Sequence, residues 1–381
     1  MGNTLTNLQP TLYSVAQEVS AEPFGIINGI NASFDDKGVA IGDKVSVPVA
    51  PVRSADTYSP TMNLNNGNAG ADATAGKVDV EITANRYTSF HLTGEQEKSL
   101  QNGGNDQEWF RQIIAQGMRT LRNEADVAAY AAIKKGASRA LGTAGSTPFS
   151  TGVDELADMN NLLYGLGAPM TDAQFVMSSA ARANFMKTGV YQYAYANGSD
   201  ADRKAGILSR EFGFSLRASA GITKHTQGTI STAYEVDDDT LAVGATTIDP
   251  KTGAGEVAAG SVFTVGSDPE LYVMNTKITA ATDTIYINRP GLANAAADGD
   301  DLGFVGDYTP CLAFERSAVV GVFRAPYIPE NANIEQVFVS DSFGMTYLLC
   351  RVIGDGVVTW RLHIAYGIQV VQPEHVALLL G

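Results

Sequence analysis

Histidine and cysteine carry much of the metal and nucleophilic chemistry of proteins, and this chain has few of them. Its 381 residues include four histidines and two cysteines. They are scattered along the sequence: His91, His225, His363, His375, Cys311 and Cys350. No spacing matches a zinc site, and two cysteines do not make a disulfide framework. We predict buried, reduced cysteines; a histidine cluster that forms only on folding stays an open alternative.

Two acidic stretches offer carboxylate oxygens, the ligands that calcium prefers. They are "DDDT" at 237–240 and "DGDD" at 298–301, and neither has EF-hand spacing. We interpret both as solvated turns. The glycines of "GAGEVAAG" at 253–260 begin no strand-to-helix unit, so we do not interpret them as a phosphate loop. Zinc-protease, serine-hydrolase and P-loop motifs do not occur. The sequence therefore predicts no catalytic residue, no cofactor and no metal ligand.

The charge of the chain argues against general binding of nucleic acid. The formal net charge is −15, whereas a nucleic-acid surface needs a basic footprint. Residues 228–314 hold 13 acidic and 3 basic residues, so this segment alone carries −10 and the rest of the chain −5. That asymmetry predicts a separate module with its own solvated surface. No run of 18 apolar residues occurs, and we expect no membrane contact.

One long helix dominates the elements that must position any functional residue. Residues 105–136 carry apolar side chains at three- and four-residue steps. This pattern predicts a helix of about 31 residues and about 46 Å. Its large apolar residues give way to alanines, unlike a coiled-coil seam, so we interpret it as a partly buried beam. We predict that four side chains are buried in the subunit core and that two arginines point toward solvent or a neighbouring subunit. These residues are Phe110, Ile114, Met118 and Leu121 in the core, and Arg111 and Arg122 outside.

Two segments before this helix cannot bury their own apolar surface. In "LYSVAQEVSAEP", Leu12, Val15 and Val19 share one helical face, which makes them candidates for contact with another subunit. Next, "KVSVPVAPV" at 44–52 and "KVDVEITANRYTSFHL" at 77–92 alternate apolar and polar residues around a polar loop. They predict a projecting hairpin. A hairpin alone is marginal in water, so we expect it to lie on another surface.

The whole pattern predicts an α+β fold interrupted by an inserted all-β, barrel-like domain. Short β runs separated by Gly, Pro and Asp fill the acidic segment, and mixed α/β patterning flanks it on both sides. The predicted organisation is an N-terminal arm (1–40), an extended loop and start of a peripheral domain (41–104), the peripheral spine helix (105–150), a central or axial domain (151–227 and 315–368), the inserted domain (228–314) and a final peripheral strand (369–381).

The closing stretch "WRLHIAYGIQVVQPEHVALLL" resembles a known family. The residues that carry the resemblance are Arg361, Tyr366, Gly367, Pro373 and Glu374. Among the major capsid proteins of tailed bacteriophages, they resemble the arginine-led strand, the tyrosine–glycine step and the proline–glutamate ending of one coat-protein subgroup. The order of elements fits the coat-protein subgroup of the Salmonella short-tailed phage, which has an inserted β-barrel. "CLAFERSAVVGVFRAPYIPE" at 311–330 resembles the return from that insertion, whereas His363 stands where related proteins often have an acidic residue.

The resemblance implies a structural protein without catalytic activity. Copies would assemble as pentamers and hexamers into an icosahedral procapsid around scaffolding protein, which expands as double-stranded DNA is packaged without sequence-specific contacts. A portal would occupy one vertex, and decoration proteins are a further class of partner. Assembly would take place in the host bacterial cytoplasm and yield the phage head. Two alternatives stay open: an encapsulin-like nanocompartment shell of the same fold, and a metal-dependent enzyme with a β accessory domain.

Overall fold

The computed structural model describes residues 25–49, 76–103, 106–192, 208, 210–237, 241–329, 334–340 and 345–381. The helices there are α1 (Gly94–Gly103), α2 (Asp106–Gly136), α3 (Asp154–Gly165), α4 (Ser179–Phe185) and α5 (Gly189–Gln192). The strands are β1 (Asn31–Val39), β2 (Lys44–Val49), β3 (Gly76–Glu81), β4 (Ala84–Thr93), β5 (Arg139–Gly142), β6 (Ala173–Met177), β7 (Arg210–Glu211), β8 (Phe214–Ala218), β9 (Ile230–Val236), β10 (Thr247–Ile248), β11 (Pro250–Val257), β12 (Val262–Val265), β13 (Leu271–Val273), β14 (Ile278–Ala280), β15 (Ile285–Tyr286), β16 (Asp301–Phe304), β17 (Cys311–Glu315), β18 (Val319–Pro326), β19 (Ile334–Ser340), β20 (Thr346–Ile353), β21 (Val357–Val370) and β22 (Val376–Leu380).

The long helix α2 packs on a six-stranded sheet of order β1-β18-β21-β20-β19, with β4 on the other side of β21. Its 31 residues match the predicted length. On β21, Trp360, Leu362 and Ile364 alternate with more exposed residues and are buried in the core cluster that includes the helix. This alternation gives the strand one apolar face, which is the pattern of a sheet covered on one side by a helix.

A second sheet contains the central strands in the order β5-β22-β17-β6-β8-β7. Helix α3 contributes Leu156, Met159 and Leu163 to its separate core, and α4 contributes Phe185. Strand β22 pairs parallel with β5 and antiparallel with β17, so it lies inside the sheet. All five residues of β22 are buried.

The predicted assignment of the last two segments is wrong. Residues 315–368 were expected in the central domain and 369–381 in the peripheral one. Instead β18 to β21 lie in the sheet that α2 covers, and β22 lies in the central sheet. The physical reason is the burial pattern: the unbroken apolar run Val376–Leu380 suits a strand buried on both faces. Alternation and run length predict a strand, but not the sheet that it joins.

The inserted β module comprises β9 to β16 and has its own core, which includes Tyr234, Ile248, Phe263, Tyr272 and Leu302. Its main strands follow the order β14-β11-β9-β16-β12-β13, and β13 then pairs with β5 of the central sheet. The predicted end of the module is wrong, because β17 belongs to the central sheet. A bridge between His225 and Tyr308 closes the base of the module.

The hairpin forms between β2 and β3, which pair antiparallel from Lys44 opposite Glu81 to Val49 opposite Gly76. The predicted second run, 77–92, is broken after β3, because β4 leaves to pair with β21. Helix α1 lies at the end of the range 41–104, which was predicted as an extended loop and the start of the peripheral domain. The prediction of an arm is also wrong for residues 31–39, because they form β1, which pairs parallel with β18 in the sheet. Residues 1–24 of the predicted arm and residues 50–75 lie outside the described residues.

Candidate functional site

The N-terminal half of α2 holds the sheet through large apolar side chains. Ile114, Met118 and Leu121 are each at most 2% exposed. Phe110 is half-buried, and its ring lies edge-on to Trp360 with 5.6 Å between centroids. These contacts fix the helix over β21 and supply the aromatic packing that such pairs add to simple burial.

Gly117 allows close approach of the helix to β4. A Cβ atom at Gly117 would lie 2.9 Å from the methyl group of Thr88. A side chain at this position would force Thr88 or the helix to shift, so the glycine lets α2 lie close to β4. A cavity of about 160 Å³ lies beside it, lined among others by Phe90, Ile113 and Leu349.

The prediction that Arg122 points to solvent or to a neighbour is wrong. Its side chain is 0% exposed, and its Nη2 donates a hydrogen bond of 3.2 Å to Oδ1 of Asn28. The buried stripe of α2 continues through Ala129 and Ile133, whereas Ala128 and Ala132 are only half-buried. The buried side of the helix is therefore turned slightly toward position 122, and Arg122 lies in the interior beneath the segment 25–30. Arg111 is half-buried.

Asp126 anchors the segment 25–30 to α2. Its Oδ1 accepts hydrogen bonds from the backbone amides of Ile26 (3.0 Å) and Ile27 (3.3 Å). Its Oδ2 accepts a short hydrogen bond from the hydroxyl of Ser219, which in turn accepts one from the amide of Gly221 at 3.0 Å. The carboxylate is 5% exposed, so each bond is sheltered from water. Sequence reasoning missed it, although Asp126 follows Arg122 by one helical turn on the same side.

A chain of side chains connects the C-terminal part of α2 with the inserted module. Lys134 Nζ lies 3.0 Å from His225 Nδ1, and His225 Nε2 lies 3.0 Å from Ser261 Oγ. His225 is 4% exposed and Ser261 is 0% exposed. A serine, a histidine and a lysine in line could activate a hydroxyl nucleophile, but burial at this depth leaves no room for a substrate. The arrangement is therefore a structural joint.

Burial and, to a smaller extent, the neighbouring charge of Lys134 together lower the pKa of His225 to about 4, although Asp307 opposes both effects. Burial also lowers the pKa of Lys134. Both shifts have the same origin, since a low-dielectric site disfavours the charged form of a base.

The end of α2 is capped by the inserted module. Asn288 Nδ2 donates to the carbonyl oxygens of Lys135 (2.8 Å) and Ala137 (2.9 Å), which satisfies groups left open at a helix C-terminus. Next to it, Arg139 donates to the Gly291 carbonyl at 2.6 Å and stacks over the Tyr272 ring, 4.5 Å from its centroid. These contacts hold the module by specific polar geometry as well as by strand pairing.

The closing-stretch residues fall into different roles. Arg361 is exposed, Tyr366 is 4% exposed, and Pro373 and Glu374 are half-buried in a short 3-10 turn between the two sheets. Gly367 has the clearest physical reason, because any Cβ there would overlap the carbonyl oxygen of Glu81. The tyrosine–glycine step therefore needs glycine at position 367, where Glu81 at the end of β3 lies against β21.

The predicted histidines do not come together. His91 and His363 lie on β4 and β21, whereas His225 and His375 lie at the module joint and in the 3-10 turn. In the part of the chain that the structure describes, no group of three His, Cys, Asp or Glu side chains could hold a metal ion. Among the described helices, none has the length and apolar composition needed to cross a lipid bilayer. Leu12, Val15 and Val19 lie outside the described residues.

The acidic side chains of the turn at 298–301 bond to neighbouring residues of the inserted module. Asp298 pairs with Lys251 at 2.9 Å, and Asp300 Oδ2 accepts from the amide of Ala297 at 2.8 Å. These bonds stabilise the turn between the module strands. The other acidic stretch lies outside the described residues apart from Asp237.

Comparison with solved structures finds similarity to subunits of protein shells. The capsid of cyanophage P-SCSP1u has a TM-score of 0.48 and 10% identity, over 92% of this chain and 86% of that one. The mature capsid of bacteriophage PhiM1 has 0.47 and 11%, over 94% and 87%. The virus-like particle from Pyrococcus furiosus has 0.47 and 8%, over 98% and 99%. No family model and no curated protein matches the chain.

Proposed function

We propose that this chain is the subunit of a closed icosahedral shell, the major capsid protein of a tailed bacteriophage. Copies assemble as pentamers and hexamers around scaffolding protein, and the shell expands as double-stranded DNA enters through a portal vertex. The protein is structural and catalyses no reaction. It is assembled in the host bacterial cytoplasm and resides in the phage head, where decoration proteins are a further class of partner.

The observation that carries this proposal is the arrangement around α2. One long helix supports a sheet near its start, the root of the N-terminal segment at its middle and an inserted β module at its end. The hairpin of β2 and β3 precedes it in the chain. This is the order of elements that the family resemblance implies.

The hairpin is evidence for a subunit that assembles with other copies. Val45, Val47, Val49 and Val78 lie on one face and are only half-buried, against the cluster that includes Val80. A two-stranded hairpin is marginal on its own, and its partly covered valine stripe gains burial when a neighbouring subunit covers it. Interfaces of obligate assemblies bury roughly 2,000 Å² or more, to which such a stripe contributes.

The charge supports a container for DNA that does not clamp its contents. The chain has a net charge of −15, most of it in residues 228–314, so it lacks the basic surface that would hold a polyanion tightly. Packaged DNA can then be released without breaking many ion pairs. The inserted all-β module supports the narrower assignment to the coat-protein subgroup of the Salmonella short-tailed phage.

Electron microscopy of the purified full-length chain tests the proposal, both alone and co-expressed with scaffolding protein. We expect closed or partly closed shells several hundred ångströms wide, on the order of what many such interfaces close into. Val47→Asp should leave a folded subunit, judged by its circular dichroism, but prevent shell formation. Pro48→Asp is the matched control, because it faces the other side of the hairpin beside Lys77 and should assemble normally.

The same preparations separate the alternatives. Shells that enclose a protein cargo and no nuclease-protected DNA would favour the nanocompartment. A small monodisperse species that binds one metal ion per chain and never assembles would contradict the shell proposal and favour an enzyme.

A further inference from the structure

The joint between α2 and the inserted module is a continuous chain of hydrogen bonds through His225. On one side Lys134 Nζ lies 3.0 Å from Nδ1, and on the other Ser261 Oγ lies 3.0 Å from Nε2. Lys134 belongs to α2, His225 lies just before the module begins, and Ser261 directly precedes β12. Three segments distant in sequence thus meet at one imidazole ring that is 4% exposed.

The partners fix the protonation state of the ring. The ammonium group of Lys134 has only donors, so Nδ1 must accept and the proton must sit on Nε2, which donates to Ser261 Oγ. A protonated ring would carry N–H groups at both positions. Its Nδ1–H would then face the Lys134 ammonium at 3.0 Å, which sets two donors and two positive charges against each other.

The other groups around the ring give a proton little support. The Tyr308 ring lies 4.9 Å from the His225 ring, and Tyr130 donates its hydroxyl proton to the carbonyl oxygen of Thr223 at 2.7 Å. The Lys134 ammonium lies 5.2 Å from the Tyr130 ring centroid. These contacts place the lysine and the histidine in a tight aromatic surround.

The carboxylate that acts on His225 is Asp307, and it already has partners. It forms an ion pair with Lys224 at 3.1 Å and accepts a hydrogen bond from the amide of Gln227 at 3.0 Å. These two partners offset much of the negative charge of Asp307 and so weaken its stabilisation of a protonated His225.

We propose that this chain of hydrogen bonds is a proton-operated latch, which holds the inserted module on α2 while His225 is neutral and loosens the base of the module when the ring binds a proton. The proposal is independent of the proposed shell function. The segments that would loosen are held by backbone bonds between His225 and Tyr308 (2.7 and 3.2 Å) and from the Ala258 amide to the Gln227 carbonyl (2.7 Å).

The direction of the pH effect follows from the two states of the ring. Burial and the Lys134 charge lower the pKa of His225 to about 4 in the closed joint, from an ordinary value of 6.5. An open joint therefore takes up a proton at a higher pH than the closed one. The contribution of His225 to closure is complete above about pH 6.5 and is lost as the pH falls from there to about 4.

Hydrogen exchange of the full-length chain between pH 7 and pH 3.5, corrected for intrinsic rates, tests the latch. In the wild type, exchange at 225–229, 256–262 and 305–310 should rise at least about tenfold across this window, the effect of one unit of pKa difference. Strand β6 of the central sheet should change less. His225→Asn keeps an acceptor near Lys134 but does not titrate, so it should remove most of this rise.

Lys134→Met removes the neighbouring charge, so the midpoint of the exchange rise should move to higher pH. His91→Asn changes an exposed histidine and is the matched control, which should behave as the wild type. An unchanged pH response in both the His225 and the Lys134 variants would overturn the proposal. If His225→Asn does not fold, imidazole NMR of the wild type and of Lys134→Met decides: a ring that titrates without any change in exchange at the base contradicts a latch.

Discussion

Asp126 holds the segment around Ile26 and Ile27 on the long helix, so its removal should detach that segment. In Asp126→Ala, the buried amides of Ile26 and Ile27 lose the acceptor that they contact at 3.0 and 3.3 Å, and the Ser219 hydroxyl loses its partner. A hydrogen bond to a charged group contributes about 1.5–3 kcal/mol, and an unpaired buried donor costs about 1–3 kcal/mol. Because these bonds share one carboxylate and their contributions do not simply add, we expect a loss of about 3 kcal/mol in the free energy of unfolding.

Urea denaturation of the full-length chain measures this loss, and hydrogen exchange locates it. The amides of residues 26 and 27 should lose protection first, since the carboxylate is their direct acceptor. Asp126→Asn retains an oxygen for these amides and should cost less, about 1–2 kcal/mol. Asn123→Ala, on the exposed face of the same helix, is the matched control and should change stability by less than about 0.5 kcal/mol. A loss below about 1 kcal/mol in Asp126→Ala, or unchanged protection of both amides, would refute the anchoring role.

Two further substitutions test the other junctions. Gly367→Ala should destabilise the chain by about 1–3 kcal/mol or more, because the added Cβ overlaps the Glu81 carbonyl oxygen. Gly94→Ala is the control and should not destabilise the chain, because no atom lies within 4 Å of its Cβ position. Equal melting temperatures for the two variants would contradict the steric argument. Asn288→Ala should cost about 1–3 kcal/mol by uncapping α2, with faster exchange at 136–138, whereas the exposed Asn161→Ala should leave that exchange unchanged. Undisturbed exchange at 136–138 in Asn288→Ala would show that the cap does not hold the helix end.

Local periodicity was sufficient to predict the long helix and its main buried residues, but not the two polar residues that matter there. Arg122 and Asp126 lie beside the apolar stripe, and whether that side is buried depends on residues 25–30 and 219–221, about 90 to 100 positions away. A helical wheel treats charged residues as the solvent face because most are. Only the tertiary contact reverses the expectation for these two.

Strand partners were the second limit of prediction from sequence. The runs at 311–315 and 376–380 were recognisable as extended and apolar, yet both were assigned to the wrong unit. Burial on both faces is a signal for a central strand, and β22 carries it in five consecutive residues. Pairing between strands far apart in sequence is decided by packing in three dimensions, which a single sequence does not encode locally.

The joint at His225 was unpredictable for the same reason. Lys134, His225 and Ser261 are separated by 91 and 36 residues, so no motif spacing relates them. The sequence left open a histidine cluster formed on folding, and the structure instead pairs one histidine with a lysine and a serine. Their burial turns a constellation that resembles nucleophilic chemistry into a device that holds two units together.

The length of α2 follows from the three attachments that it carries in sequence. Large side chains from Phe110 to Leu121 contact the sheet, and Asp126 binds the segment 25–30. Lys134 and the C-terminal end of the helix, which Asn288 caps, contact the inserted module. At 1.5 Å per residue, the sites from Phe110 to Lys135 extend over about 38 Å. Asp126 follows Leu121 by five residues and Lys134 follows Asp126 by eight, so each attachment occupies its own turn of the helix. The sheet still lies against the last turn of α2, because a Cβ atom at Gly136 would overlap the side chain of Val370 on β21, so the small residues of the second half let the helix lie close to its neighbours.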